Sequence, residues 1–291
     1  MKHNRIGLAL TALRVGRNAQ VSSLRALAGL LILCHPISAA AAELKTQTAE
    51  AFEQYVRIAE AQMSSRRGFL WPDDFREPER QHALASVRAG EPFISRVETR
   101  DNGQSLHVPD GLVHHWVGLV FAPGATLEQS LRLMQDYDHH AGLFRPAVTR
   151  SKLLARDNDV FRVHLRFIMK KVITVVVDTE NEARFTRVAP DRASSRIRSL
   201  HVNEVEDPGT PRERTMPEGN DGGYLWRLNT YWRFLERDGG TYVQCESITL
   251  TRSIPFGLHW LIGPFLTSIP RESLTFVLET TRKALVTPPA L

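Results

Sequence analysis

Leu225-Trp226-Arg227-Leu228-Asn229-Thr230-Tyr231-Trp232-Arg233-Phe234 alternates apolar and polar side chains along its length. A period of two is the signature of a β-strand with unlike faces, here Trp226, Leu228, Trp232 and Phe234 against Arg227, Asn229, Tyr231 and Arg233. The same split recurs upstream. Phe161, Val163, Leu165, Phe167 and Met169 alternate with Arg162, His164 and Arg166. These segments belong to a run of strand-like stretches at about 147–155, 160–170, 172–187, 194–206, 222–236 and 241–251. Asp157-Asn158-Asp159 and Asp238-Gly239-Gly240 mark tight turns in that run. Residues 207–220, rich in Pro, Gly and charge, read as an exposed loop.

Outward from this run, Leu112 to Phe121 predicts one earlier strand. Thr126 with Gln129 has the form of a capping box opening a helix to about Tyr137, and a short turn follows near 139–144. After the last strand, an apolar segment at 256–266 precedes a helix beginning after Ser268, with Leu274, Val277, Leu278, Thr281 and Leu285 on one face before Pro288. On the N-terminal side, Phe52, Tyr55, Val56, Ala59 and Met63 share one face of a helix over 43–63, and a second helix fits 78–89. Asp101-Asn102-Gly103 is a hairpin signal between 93–97 and 105–108. The expected class is therefore α+β: one strand, two short helices, six strands and one long helix, preceded by a helical and hairpin extension. The expected boundaries are 1–42, 43–111 and 112–287.

That order resembles the helix-grip superfamily, which includes START lipid-transfer domains, the birch-pollen allergen family, bacterial polyketide cyclases and coenzyme Q-binding proteins. The resemblance covers roughly Leu112 to Val286. More narrowly, His114-His115-Trp116-Val117-Gly118, Asp136-Tyr137-Asp138, Gly222 to Asn229 and Tyr231-Trp232-Arg233 resemble segments of exported bacterial members of unassigned function. It implies a curved antiparallel sheet of about seven strands wrapped round the C-terminal helix. It also implies a cavity between them for lipids, quinones, sterols or polyketides.

The chain of 291 residues has 37 Lys and Arg against 32 Asp and Glu. The excess lies in the first 42 residues, where Lys2, Arg5, Arg14, Arg17 and Arg25 meet no acid, so 37 less five leaves 32 bases against 32 acids beyond them. A neutral remainder gives no electrostatic reason to expect nucleic acid as a partner. Those first residues read as a cleavable export signal, with a basic start, an apolar stretch from Ala26 to Cys34 and small residues before a cut between Ala42 and Glu43. A periplasmic or extracellular location follows. Cleavage leaves Cys245 as the one cysteine, so no internal disulfide is expected.

The strand Val160 to Lys170 and the opening strand pose one question. If the mixed faces are solvated, the arginines need no explanation. If they face the cavity with Tyr231, Asn229 and Glu246, then Arg166, Arg227 and Arg233 would grip a carboxylate or phosphate, and Glu204 and Glu246 would balance them when the site is empty. The ligand-lining set is expected from Trp116, Arg166, Phe167, Trp226, Arg227, Tyr231, Trp232, Arg233, Glu246, Trp260 and Phe265. Adjacent histidines on a strand point to opposite faces, so His114-His115 and His139-His140 make no metal cluster, and neither metal nor cofactor is expected. Nucleophile elbows, phosphate loops and dinucleotide fingerprints are absent from the sequence. The preferred expectation is an exported, non-enzymatic carrier of a hydrophobic or amphipathic small molecule, touching membrane transiently through 256–266. The alternative is a cofactor-independent cyclase or isomerase using His115 or His140 with Tyr137. A third reading has the N-terminal helices filling the groove as part of a protein-interaction module.

Overall fold

The computed structural model describes residues 42–170, 174–253 and 259–287, with side chains in the last segment from residue 268 onward. The export signal expected over 1–42 therefore lies, but for Ala42, outside the described residues.

Eight strands form one antiparallel sheet: β1 (Phe93–Arg96), β2 (Gly111–Pro123), β3 (Val148–Asp157), β4 (Val160–Lys170), β5 (Thr174–Ala189), β6 (Arg192–Glu206), β7 (Arg227–Arg237) and β8 (Gly240–Arg252). Their order across the sheet is β1-β2-β8-β7-β6-β5-β4-β3, with the short segment Arg214–Thr215 added beside β6. β3 with β4, β5 with β6, and β7 with β8 are joined by tight turns. Asn158, Asp238 and Gly239 take the positive φ these turns require, at 52°, 58° and 75°. Bulges between Glu180 and Asn181, between Arg187 and Ala189, and in β3 bend the long strands.

Among the described residues five α-helices flank the sheet: α1 (Thr46–Ser65), α2 (Glu79–Arg88), α3 (Leu127–Gln135), α4 (His140–Leu143) and α5 (His259–Val286). Thr126 caps α3 as expected. Its hydroxyl accepts from the Gln129 amide at 3.2 Å while Gln129 accepts from the Thr126 amide at 2.8 Å. The Glu236 carboxylate accepts from the Leu127 amide at 2.7 Å, placing a negative charge at the α3 N-terminus.

The two faces are covered by different parts of the chain. On one, α5 lies over β2 and reaches β1 and β8, and α3 and α4 continue the layer. On the other, α1 buries Phe52, Tyr55, Val56, Ala59 and Met63 against Tyr231, Ile248 and Leu250, while Leu70, Leu84 and Val87 meet Leu119, Phe121, Leu235 and Tyr242. This is the helix-grip arrangement, with a second layer of N-terminal helices on the back of the sheet.

Three expectations change. Residues 93–96 pair with β2, Phe93 opposite Leu119 and Arg96 opposite Trp116, rather than with 105–108. The Asn102-Gly103 turn closes only the two-residue ladder of Arg100–Asp101 with Gln104–Ser105. The last helix starts at His259, not after Ser268, so most of 256–266 forms its first turns, whose side chains lie outside the described residues. Among the described residues no helix is long and apolar enough to cross a membrane.

Gly118 on β2 lets α5 approach. A Cβ there would overlap the Leu278 side chain and come within 2.7 Å of Ile94 Cδ1 and 3.3 Å of Leu274 Cδ2. Leu278 is fully buried, so little room exists to yield. Gly118→Val is expected to cost about 1–3 kcal/mol by overpacking, read from urea denaturation. An unchanged midpoint would show that α5 does not depend on this approach.

Candidate functional site

The face beneath α1 carries the polar half of the alternation, and almost every charge there is matched. On α1, Glu60 accepts from Tyr231 Oη at 2.7 Å and from Arg196 Nε at 2.7 Å, and one turn pair earlier Glu53 accepts from Arg198 Nη2 at 2.9 Å. The Arg233 guanidinium donates to the backbone oxygens of Phe69 at 2.8 Å and Met63 at 3.0 Å. Arg166 forms a fork with Asp178, at 2.7 and 2.6 Å, and reaches Glu213 of the 207–220 loop at 2.8 Å. Arg227 pairs with Glu218 at 3.0 Å.

At the centre, Glu246 on β8 is 1% exposed. It accepts from Arg66 Nη1 and Nη2 at 2.6 and 2.8 Å, and its Oε1 lies 2.9 Å from His115 Nε2. Tyr55 Oη and Thr99 Oγ1 both lie 3.1 Å from His115 Nδ1. The Arg66 guanidinium stacks over the Trp71 ring at 4.3 Å. Burial pushes the Glu246 carboxyl up, but the hydrogen bonds from Arg66 and His115 outweigh it and hold the group down at about 2. A cleft of about 340 Å³ opens beside His115, between Arg66, Trp71, Val97 and Glu98.

The arginines thus point away from the α5 side, Arg166 buried, Arg233 part-buried, and Arg196 and Arg198 about half exposed. Their partners are carboxylates of α1, the neighbouring strands and the loop and, for Arg233, backbone carbonyls. Trp226 also belongs here, against the reading that put it with Trp232. It precedes β7, packs among Phe52, Tyr55 and Leu250, and donates Nε1–H to Asp221 at 3.2 Å. The strand begins only at Arg227, so the alternation does not extend back through it.

The face beneath α5 is apolar. Trp232, Phe234, Val243 and Cys245 of β7 and β8 join Phe161, Val163, Ala183, Phe185 and Ala193 of β4 to β6, closed by Tyr137, Phe144, Leu274 and Leu278. Trp116, Leu153, Leu165, Phe167 and Ile197 pack against this cluster but stay only half buried. Of the expected lining residues the structure brings together Trp116, Phe167 and Trp232 here. Arg166, Trp226, Arg227, Tyr231, Arg233 and Glu246 are on the opposite face, and the side chains of Trp260 and Phe265 lie outside the described residues.

The histidine and tyrosine set divides in the same way. His115 sits under α1, whereas Tyr137 and His140 lie on the α5 side with ring centroids 4.7 Å apart, so the three do not share one cavity. His140 Nε2 is 3.3 Å from the Leu133 carbonyl. Burial holds its imidazole down at about 4 and pushes the Tyr137 phenol up. Near neutral pH both groups are therefore uncharged. Among the described residues no group of three or more His, Cys, Asp or Glu is placed to hold a metal.

Three polar atoms on the α5 side were not legible from the sequence. Tyr137 Oη, Ser195 Oγ and Asn181 Oδ1 are buried without a hydrogen-bond partner. Ser195 lies in register between Trp232 and Phe185, Asn181 opposite Val163, and the Tyr137 ring stands 5.7 Å from that of Phe161.

No family model matches the chain, and no curated protein matches it. Among solved structures it is similar to a STAR-related lipid transfer protein from Xanthomonas axonopodis, at 15% identity over 66% of this chain and 99% of that one, with a TM-score of 0.43. Human STARD10 matches at 9% identity over 77% and 84%, TM-score 0.41. The Zhui aromatase/cyclase from Streptomyces sp. R1128 matches at 12% identity over 60% and 98%, TM-score 0.39.

Proposed function

We propose that this protein is an exported, non-enzymatic carrier that holds a hydrophobic or amphipathic small molecule, lipid-, quinone- or polyketide-like, between the sheet and α5. The observation that carries this reading is the mismatch between α5 and the apolar face it covers. The helix lies over β1, β2 and β8, while apolar side chains continue across to β3 and leave Leu153, Leu165, Phe167 and Ile197 half buried. A contiguous apolar wall with a few polar groups is what a small-molecule site requires.

Protein purified from its own host and sprayed under native conditions is expected to carry a lipid-sized mass that denaturing spray releases. The same spectrum reads the N-terminus, expected at Glu43 for export with cleavage. A bare protein that also fails to take up an apolar fluorophore would remove the carrier reading.

A further inference from the structure

We infer that Asp221 is the docking site of the α-ammonium group that cleavage of the Ala42–Glu43 bond creates. This rests on the export-with-cleavage part of the proposed function and gives the new N-terminus a partner. Asp221 is 1% exposed. Its Oδ1 accepts from the Gly223 amide at 2.8 Å and from Trp226 Nε1 at 3.2 Å, whereas its Oδ2 is buried without a hydrogen-bond partner. Buried acceptors are nearly always paired, so an orphaned carboxylate oxygen calls for a donor.

The charge balance points the same way. Glu204, 8% exposed, accepts from the Gly222 and Tyr224 amides at 2.9 and 2.7 Å, and its charge and that of Asp221 oppose each other. Burial pushes the Asp221 carboxyl up and the Glu218 charge adds to it, while the Arg252 guanidinium eases both acids only in part. A further cation beside Asp221 would complete the balance.

The strand register brings one. Ala42–Glu43 forms a two-residue antiparallel ladder with Asn220–Asp221, Ala42 opposite Asp221 and Glu43 opposite Asn220. Side chains directly opposite one another stand roughly 4.5–5.5 Å apart at Cβ. Ala42 also packs against the cluster that holds Trp226, the residue whose indole donates to Asp221. On the other side of the cut, the Leu44 amide donates to the Gly219 carbonyl at 2.6 Å and its side chain joins the same cluster, so Glu43 stays anchored when Ala42 leaves. Hydrolysis adds water across the Ala42–Glu43 bond, leaving a carboxylate on the departing segment and an α-ammonium on Glu43. It also clears the place opposite Asp221, into which the ammonium turns to donate to Oδ2. Before the cut the Glu43 nitrogen is a neutral amide, so this pairing belongs to the processed protein alone.

The test compares protein that begins at Glu43, released from a fusion without extra residues, with protein that keeps Ser38–Ala42 ahead of it, each with and without Asp221→Asn. In urea at pH 7 the shorter chain is expected to have an unfolding constant about tenfold smaller, the range of a hydrogen bond to a charged group, and Asp221→Asn is expected to abolish the difference. A brief pulse of acetic anhydride at pH 8, read by peptide mass, gives a second measure that needs no substitution. Pairing with a carboxylate keeps the amine protonated, so the Glu43 α-amine is expected to label about tenfold more slowly in the folded protein than in the urea-unfolded one. Equal unfolding of the two lengths, or an amine that labels as fast folded as unfolded, would overturn the docking and leave export untouched. A difference that persists in Asp221→Asn would overturn the assignment to Asp221. An N-terminus other than Glu43 on protein from its own host would instead remove the cleavage on which the inference rests.

Discussion

Arg66→Ala is expected to lower the unfolding free energy by about 3–5 kcal/mol at pH 7, the range for breaking a buried ion pair from one side. Arg66 and Glu246 have side chains only 9% and 1% exposed, and the fork between them is complete. Removing the guanidinium leaves a carboxylate in the interior with His115 as its remaining partner. The double replacement Arg66→Met with Glu246→Leu is expected to cost less than the single one, because it removes the charge together with its counter-charge. A loss below about 1 kcal/mol for Arg66→Ala would mean that the α1 layer does not depend on this pair. The pair also has a pH signature. Glu246 is depressed to about 2 from an ordinary 4.5, so its contribution is fully present above pH 4.5 and is lost as pH falls towards 2. Arg66→Ala should flatten that window.

Between pH 6.5 and 4.5 a second loss is expected, from histidines instead of carboxylates. Burial, aided by the Arg96 charge for His114, holds His114 and His140 down at about 4 from an ordinary 6.5. The unfolded chain therefore takes up protons below pH 6.5 that the folded protein refuses until about pH 4. Stability is full above 6.5 and falls as pH drops through this range. The drop from 6.5 to about 4 corresponds to about 3 kcal/mol per histidine, a large share of the roughly 5–15 kcal/mol that holds a domain together. Glu204 and Asp221, pushed up chiefly by burial, act in the opposite sense and offset part of the fall. Comparison with His140→Gln and His114→Gln isolates each contribution. Urea titrations at pH 7 and 4.5 should show each variant losing about 2–3 kcal/mol less than the wild type over that interval. Equal losses in all three proteins would show that these imidazoles are not buried neutral.

The element order was legible because its local signals are strong. The Thr126 capping box, the turns at Asn158 and Asp238, and the period of two along β4 and β7 each act within a few residues. The partner of each face was not legible, since alternation distinguishes two sides without saying what lies on them. The missing clue was in α1, where Glu53 and Glu60 stand seven residues apart and meet Arg198 and Arg196. A helix with acids at that spacing needs a basic surface, and β6 supplies one. The unmatched Tyr137, Ser195 and Asn181 atoms were beyond reach for another reason. Satisfaction of a hydrogen bond is decided by neighbours distant in sequence, so residue type alone cannot reveal its absence.

The ladder between β2 and β8 joins residues 117 positions apart where Pro123 meets Gly240, and 141 apart where Gly111 meets Arg252. Pairing of β3 through β6 is local by comparison and can proceed while the chain is still being made. The β2–β8 ladder must wait for residue 252 to be available, and with it waits the docking of α5, whereas β1 pairs with β2 locally. Until then the apolar stretch Trp116 to Ala122 is an open strand edge, the kind of surface that templates aggregation. Long-range pairing also makes for slow folding. A chain truncated before Gly240 would lack the strand that covers this edge.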